Sequence, residues 1–66
     1  MKIKYFSDTD TALIEFVSHP VAETREIGDN VLIDLDQHGN LVNMTIEHAK
    51  ERMDFKNVAI KELLSA

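Results

Sequence analysis

The chain has 66 residues, a formal net charge of -5 at pH 7 and no cysteine, which predicts one small domain over residues 1–66 without a disulfide or thiolate metal site. A net acidic charge repels a phosphate backbone, so nucleic acid is not expected as a partner. No apolar run approaches the roughly 20 residues that a membrane span needs, and the expected location is therefore cytoplasmic.

The first predicted element is a hairpin whose strands cover residues 2–6 and 11–17. Alternation of apolar and polar residues with period two predicts which residues face each other. The expected pairs are Lys2 with Glu15, Ile3 with Ile14, and Tyr5 with Ala12. Pro20 then interrupts the sheet, because it lacks the N-H that a central strand needs, and residues 23–27 follow as a weaker strand.

A second hairpin, from Val31 to Glu47, has the stronger pattern. Its apolar faces coincide when Leu35 pairs with Val42, Ile33 with Met44, and Val31 with Ile46. This register leaves His38 and Gly39 as the central residues of a two-residue type I′ turn, in which both need a positive φ.

After Glu47 the apolar residues recur at helical spacing. This predicts a short helix from about His48 to Met53 and a second helical segment that reaches Leu64. The expected fold class is therefore α+β: an antiparallel four-stranded β-meander followed by a C-terminal helix of one or two short segments.

A helix of this length covers one face of the sheet, so apolar residues on the second face should remain exposed. We assign to that face Phe6, Leu13, Val17, Leu32 and Leu41. Several hundred Å² of apolar surface is more than a monomer usually exposes. We therefore expect a homodimer or a higher homo-oligomer, with Leu32 and Leu41 in the interface.

Glu23 and Arg25 share one face of the weaker strand and have two interpretations. As a solvated surface pair they would contribute little to stability. As interface anchors they would use the planar fork of Arg25 to bind a carboxylate across the interface. Because the chain is acidic, a basic protein is a further candidate partner.

The leading interpretation is a non-enzymatic protein-protein interaction module, and the alternative is a site for a divalent cation or small ligand, with hydrolytic chemistry as an option. The oxygen ligands of such a cation site would be Asp8, Asp10, Asp34 and Asp36. The plainer interpretation of Asp34 and Asp36 is the solvated face of a strand. The three histidines lack the spacing of a zinc site and no serine has the G-x-S-x-G context, so no catalytic residue and no cofactor is predicted.

Three stretches of the sequence together are similar to a known family. They are Tyr5 with Asp8-Thr9-Asp10-Thr11, then Val21-Ala22-Glu23-Thr24-Arg25-Glu26-Ile27, then Leu35-Asp36 with His38-Gly39-Asn40-Leu41-Val42 and Ile46-Glu47-His48-Ala49. They resemble the small bacterial family catalogued as domain of unknown function 2283. The resemblance implies a compact bacterial α+β domain and carries over no activity and no catalytic residue. The sequence departs from the family pattern at His38, where Asp is common, and at Asn43, where Gly is common.

Overall fold

The computed structural model describes residues 1–52. Its elements are, in chain order, β1 (Lys2–Phe6), β2 (Thr11–Glu15), β3 (Glu23–Gly28), β4 (Val31–Leu35), β5 (Leu41–Glu47) and α1 (Ala49–Arg52). The five strands form one sheet in the order β1-β2-β5-β4-β3, and every neighbouring pair is antiparallel. The predicted α+β class is confirmed.

The predicted four-stranded meander is wrong in both strand number and strand order. The segment after Pro20 is a full strand of six residues, β3, and not a marginal one. The order differs because β5 lies between β2 and β4, with Val42 only 2% exposed. A strand with a buried apolar residue gains most from a central position, whereas β3, which is exposed throughout, lies at an edge.

The first hairpin has the predicted register, with Ile3 opposite Ile14 and Tyr5 opposite Ala12. However, β2 ends at Glu15, two residues before the predicted end. The N-H groups of Phe16 and Val17 both donate to the carbonyl oxygen of Val42, at 2.8 and 3.4 Å. Two donors on one carbonyl cannot belong to a regular ladder, so regular pairing stops there.

The second hairpin has the predicted pairs Val31 with Ile46 and Ile33 with Met44. The predicted pair of Leu35 with Val42 is wrong, because the register shifts after Asp34 and Leu35 lies opposite Leu41. The shift inserts one extra residue into β5.

The loop of this hairpin has three residues and not two. The N-H of Asp36 donates to the carbonyl of Asn40 at 2.9 Å, and the N-H of Gly39 donates to the carbonyl of Asp36 at 3.0 Å. Within the loop Gly39 has a positive φ of 82°, whereas the φ of His38 is not positive. The geometry is that of a type I turn followed by a left-handed glycine, so the predicted type I′ turn is wrong.

Directly opposite residues of an antiparallel sheet share a face, and the register therefore defines two faces. The apolar face carries, in one row across the sheet, Ile3, Ile14, Met44, Ile33 and Arg25. The second face carries, in the next row, Lys4, Leu13, Thr45, Leu32 and Glu26. The prediction that Leu41 belongs to the second face is wrong, because the bulge places it opposite Leu35 on the apolar face.

The buried apolar residues of the described region are Ala12, Val42 and Ala49. Ala49 opens α1, where Asp10 holds the helix against the first hairpin. The carbonyl of Asp10 accepts the N-H of Ala49 at 2.9 Å, and its carboxylate accepts the N-H of Lys50 at 3.1 Å. A helix is therefore present close to the predicted start, and the predicted segment that reaches Leu64 lies outside the described residues.

Within residues 1–52, the structure contains no helix whose length and apolar character would suffice to cross a membrane.

Candidate interaction surface

The strand β3 forms one edge of the sheet and pairs with β4 on its inner side. All six of its residues are exposed. The other edge, β1, carries Lys2 and Lys4, and lysines on an edge strand discourage a further strand from pairing there. β3 contains neither lysine nor proline, but it carries Glu23, Arg25 and Glu26 and a bulge between Glu26 and Gly28, so the regular part of this edge is the stretch from Glu23 to Glu26.

Hydrogen bonds show which backbone groups of β3 point away from the sheet. The carbonyl of Leu35 accepts the N-H of Ala22 at 2.8 Å, so the backbone polar groups of Leu35 point toward β3. Glu23 lies opposite Leu35, and its own groups therefore point inward. Because this direction alternates along a strand, the N-H and C=O groups of Thr24 and Glu26 point outward.

Glu23 and Arg25 form an ion pair along β3 on the apolar face. Arg25 donates from Nε to Oε1 of Glu23 at 2.9 Å and from Nη2 to Oε2 at 3.2 Å. The hydrogen bonds and the negative charge of Glu23 raise the pKa of Arg25 above its usual value. Both side chains are more than half exposed, so the pair presents fixed charges at the edge and adds little to stability.

On the second face, Asp34 links three adjacent strands. Its Oδ1 accepts the hydroxyl hydrogen of Thr24 at 2.6 Å, and its Oδ2 accepts the amide of Asn43 at 3.3 Å. Asp34 is therefore part of a polar row across β3, β4 and β5, with both carboxylate oxygens hydrogen-bonded.

Asp36 follows β4 and is buried, with 6% of its surface exposed, so the interpretation of this residue as part of a solvated strand face is wrong. Its carboxylate accepts the backbone N-H groups of His38 at 2.8 Å and Asn40 at 2.9 Å. These bonds, chiefly the one from Asn40, together with the contact with His19, hold the pKa of Asp36 well below its usual range. The sequence signal was an Asp placed two residues before His38, which is the spacing of an Asx turn.

His19 is a further candidate functional residue, and its contact with Asp36 was not predicted from the sequence. Its Nδ1 lies 3.0 Å from Oδ2 of Asp36, and the two residues are 17 positions apart. The pair lines a cleft of about 380 Å³ between the segment at Pro20 and the loop at His38. No local pattern indicates this contact, because it depends on how the chain returns after β2.

Asp10 lies at the opposite end of its hairpin from Glu15 and contacts α1. Its Oδ1 accepts the hydroxyl hydrogen of Tyr5 at 2.6 Å. This bond lowers the pKa of Asp10. The same bond, together with burial and the negative charge of Asp10, raises the pKa of Tyr5 to about 12. Asp10 therefore orders the first loop and the start of the helix together.

The four carboxylates of the predicted cation site lie in different local environments. Asp8 is exposed, whereas Asp10, Asp34 and Asp36 each accept hydrogen bonds from the chain itself. Over residues 1–52, there is no group of three or more His, Asp or Glu side chains that could hold a metal ion. The cation site stays a prediction.

The four predicted interface residues lie on two different faces. Glu23, Arg25 and Leu41 belong to the apolar face, and Leu32 belongs to the second face, opposite Glu26. Their role in an interface stays a prediction.

Comparison with known proteins gives one match. A family model described as "Protein of unknown function (DUF2283)" matches residues 2–50, which include all five strands and the start of α1. No curated protein and no solved structure matches the chain significantly.

Proposed function

The chain belongs to the DUF2283 family of proteins of unknown function, and we propose from its geometry that it is a non-enzymatic, cytoplasmic protein-protein interaction module that homo-oligomerises. The observation that carries this proposal is the edge strand β3, whose six residues are all exposed. An exposed edge presents a row of backbone donors and acceptors to which another strand can pair.

Strand addition explains how so small a domain binds a partner. Backbone hydrogen bonds to the outward groups of Thr24 and Glu26 supply affinity, and side chains on alternate positions supply specificity. The ion pair of Glu23 and Arg25 is already formed on the neighbouring positions, so little side-chain freedom is lost on binding.

A basic protein is the second kind of partner that we propose. The net charge of -5 attracts positively charged surfaces and accelerates their association. The edge strand itself carries Glu23 and Glu26 but only one arginine, so the net charge of β3 is also negative.

The proposal is tested by blocking the edge with proline. Thr24→Pro removes an outward N-H that the sheet does not use, and proline is tolerated at such edge positions. It also removes the hydroxyl that binds Asp34, so Thr24→Val, which loses the hydroxyl and keeps the N-H, is the matched control. Light scattering at micromolar concentration should give the parent and Thr24→Val the mass of at least two chains, and Thr24→Pro the mass of one.

A parent mass of one chain at micromolar concentration would contradict homo-oligomerisation. If Thr24→Pro keeps the parent mass, assembly occurs through another surface and not through β3. Far-ultraviolet circular dichroism of all three proteins identifies any loss of mass that comes from unfolding.

A further inference from the structure

We infer that the strand that pairs with the edge of β3 is β3 of a second copy, in an antiparallel arrangement with a two-fold axis at Thr24. This inference rests on the proposed function and specifies its partner and register. A two-fold interface requires a surface that is complementary to itself, so that each residue of one copy fits the residue it meets in the other. The stretch from Glu23 to Arg25 meets that requirement.

When Thr24 lies opposite Thr24 of the second copy, the flanking residues form complementary pairs. Glu23 of each copy lies opposite Arg25 of the other, and opposite charges across a strand pair are stabilising. Val21, which precedes β3, and Ile27, the extra residue of the bulge between Glu26 and Gly28, flank this pairing and are 47% and 55% exposed. Ala22, which is small, lies opposite Glu26.

The backbone directions agree with this register at its centre, and the pairing ends at Ala22, whose N-H donates inward to the carbonyl of Leu35. The polar groups of Thr24 point outward, so the two Thr24 residues can exchange both of their N-H to C=O bonds on the axis. Glu23 and Arg25 then form a non-hydrogen-bonded pair, in which the Cα atoms are about 4.5 Å apart and side chains are closest. The two ion pairs within the strands thus join into one cluster of four charges.

Neighbouring registers lack this complementarity. An axis at Arg25 would place two arginines opposite each other, and an axis at Glu23 or Glu26 would place two glutamates opposite each other. Like charges directly opposite each other are destabilising. The register at Thr24 also extends the apolar face of one copy into that of the other, because the two-fold axis is perpendicular to the joined sheet.

Cysteine cross-linking tests the register, since the chain has no cysteine of its own. In Thr24→Cys the two Cα atoms would be about 5.5 Å apart, within the range of roughly 4.4–6.8 Å that a disulfide requires. Glu26→Cys is the matched control on the same strand and face, and its two copies would be four positions, about 13 Å, apart. Mild oxidation should link Thr24→Cys into a covalent dimer and leave Glu26→Cys as single chains on a non-reducing gel.

The outcomes separate this inference from the proposed function. A linked Glu26→Cys, alone or to the same extent as Thr24→Cys, overturns the register. A parent mass of two or more chains with neither variant linked overturns the register and leaves the interaction module in place. A parent mass of one chain with neither variant linked overturns both.

Charge reversal gives a second readout. Glu23→Arg or Arg25→Glu alone would replace both attractive pairs of the dimer by like charges and raise the dissociation constant by about tenfold. The double variant Glu23→Arg/Arg25→Glu restores opposite charges in the same register and should return the dissociation constant close to that of the parent. A double variant that is as weak as the single variants would overturn the pairing of Glu23 with Arg25.

Discussion

Asp36 joins two parts of the chain that are distant in sequence. Its carboxylate binds the backbone of its own loop at His38 and Asn40 and lies against His19, which follows β2. A buried carboxylate is stable only where donors surround it, and here the loop supplies them. Asp36 therefore stabilises both the loop and the position of the segment that leads into β3.

Replacement of this carboxylate should change the pH dependence of stability. The pKa of Asp36 is lower in the folded protein than in the unfolded chain, where it is about 3.9. Its contribution to the free energy of unfolding is therefore complete above pH ~4 and is lost as the pH falls toward the folded-state pKa. Asp36→Asn should lower the melting temperature by several degrees at pH 7, and the difference from the parent should shrink in acid.

Thermal unfolding of the parent and of Asp36→Asn between neutral and acidic pH measures this effect. Asp8→Asn, which alters an exposed carboxylate in the other hairpin loop, is the control and should follow the parent curve. A difference between Asp36→Asn and the parent that is constant with pH would contradict the assigned role. Asp10, whose pKa is also lowered, is present in all three proteins and cancels in the comparison.

Among the elements, the hairpin of β4 and β5 has a turn whose geometry depends on one glycine. Gly39 has a φ of 82°, in the left-handed region that side chains with a Cβ rarely adopt. A Cβ on Gly39 would meet nothing within 4 Å, so the effect of a substitution is conformational and not steric crowding by neighbours.

Gly39→Ala should therefore lower the free energy of unfolding by about 1–2 kcal/mol. Gly39→Asn should lower it less, because Asn tolerates the left-handed region. Gly28→Ala is the control, since Gly28 has open space around it and no positive φ, and it should be neutral or slightly stabilising. Urea unfolding curves measure all three, and equal losses for Ala and Asn at position 39 would contradict the argument.

At the scale of the whole molecule, three of the four carboxylates of the predicted cation site, Asp10, Asp34 and Asp36, are already hydrogen-bonded within the chain. A cation at Asp10 or Asp36 would have to replace bonds from Tyr5 or from the loop backbone. We therefore expect no change in melting temperature with millimolar Mg²⁺, Ca²⁺, Mn²⁺ or Zn²⁺. A ligand that binds the native state alone raises its stability, so an increase with any of these ions would favour the cation-binding alternative.

The sequence by itself determined the local pairing of strands. Residues that alternate on either side of a short loop have few possible registers, and one of them matches apolar with apolar. For this reason the pairs Ile3 with Ile14 and Val31 with Ile46 were predictable. The self-complementary stretch of β3 is also readable from the sequence, although its exposure at an edge is not.

Only the tertiary structure decided which hairpins lie side by side. The position of β5 between β2 and β4 depends on contacts between residues far apart in the chain, and period-two patterns contain no information about them. The bulge that moves Leu41 to the apolar face adds one residue to β5, which alternation alone does not reveal. The contact of His19 with Asp36 has the same origin, because it forms only when the chain crosses from β2 to the far edge and brings the two residues together.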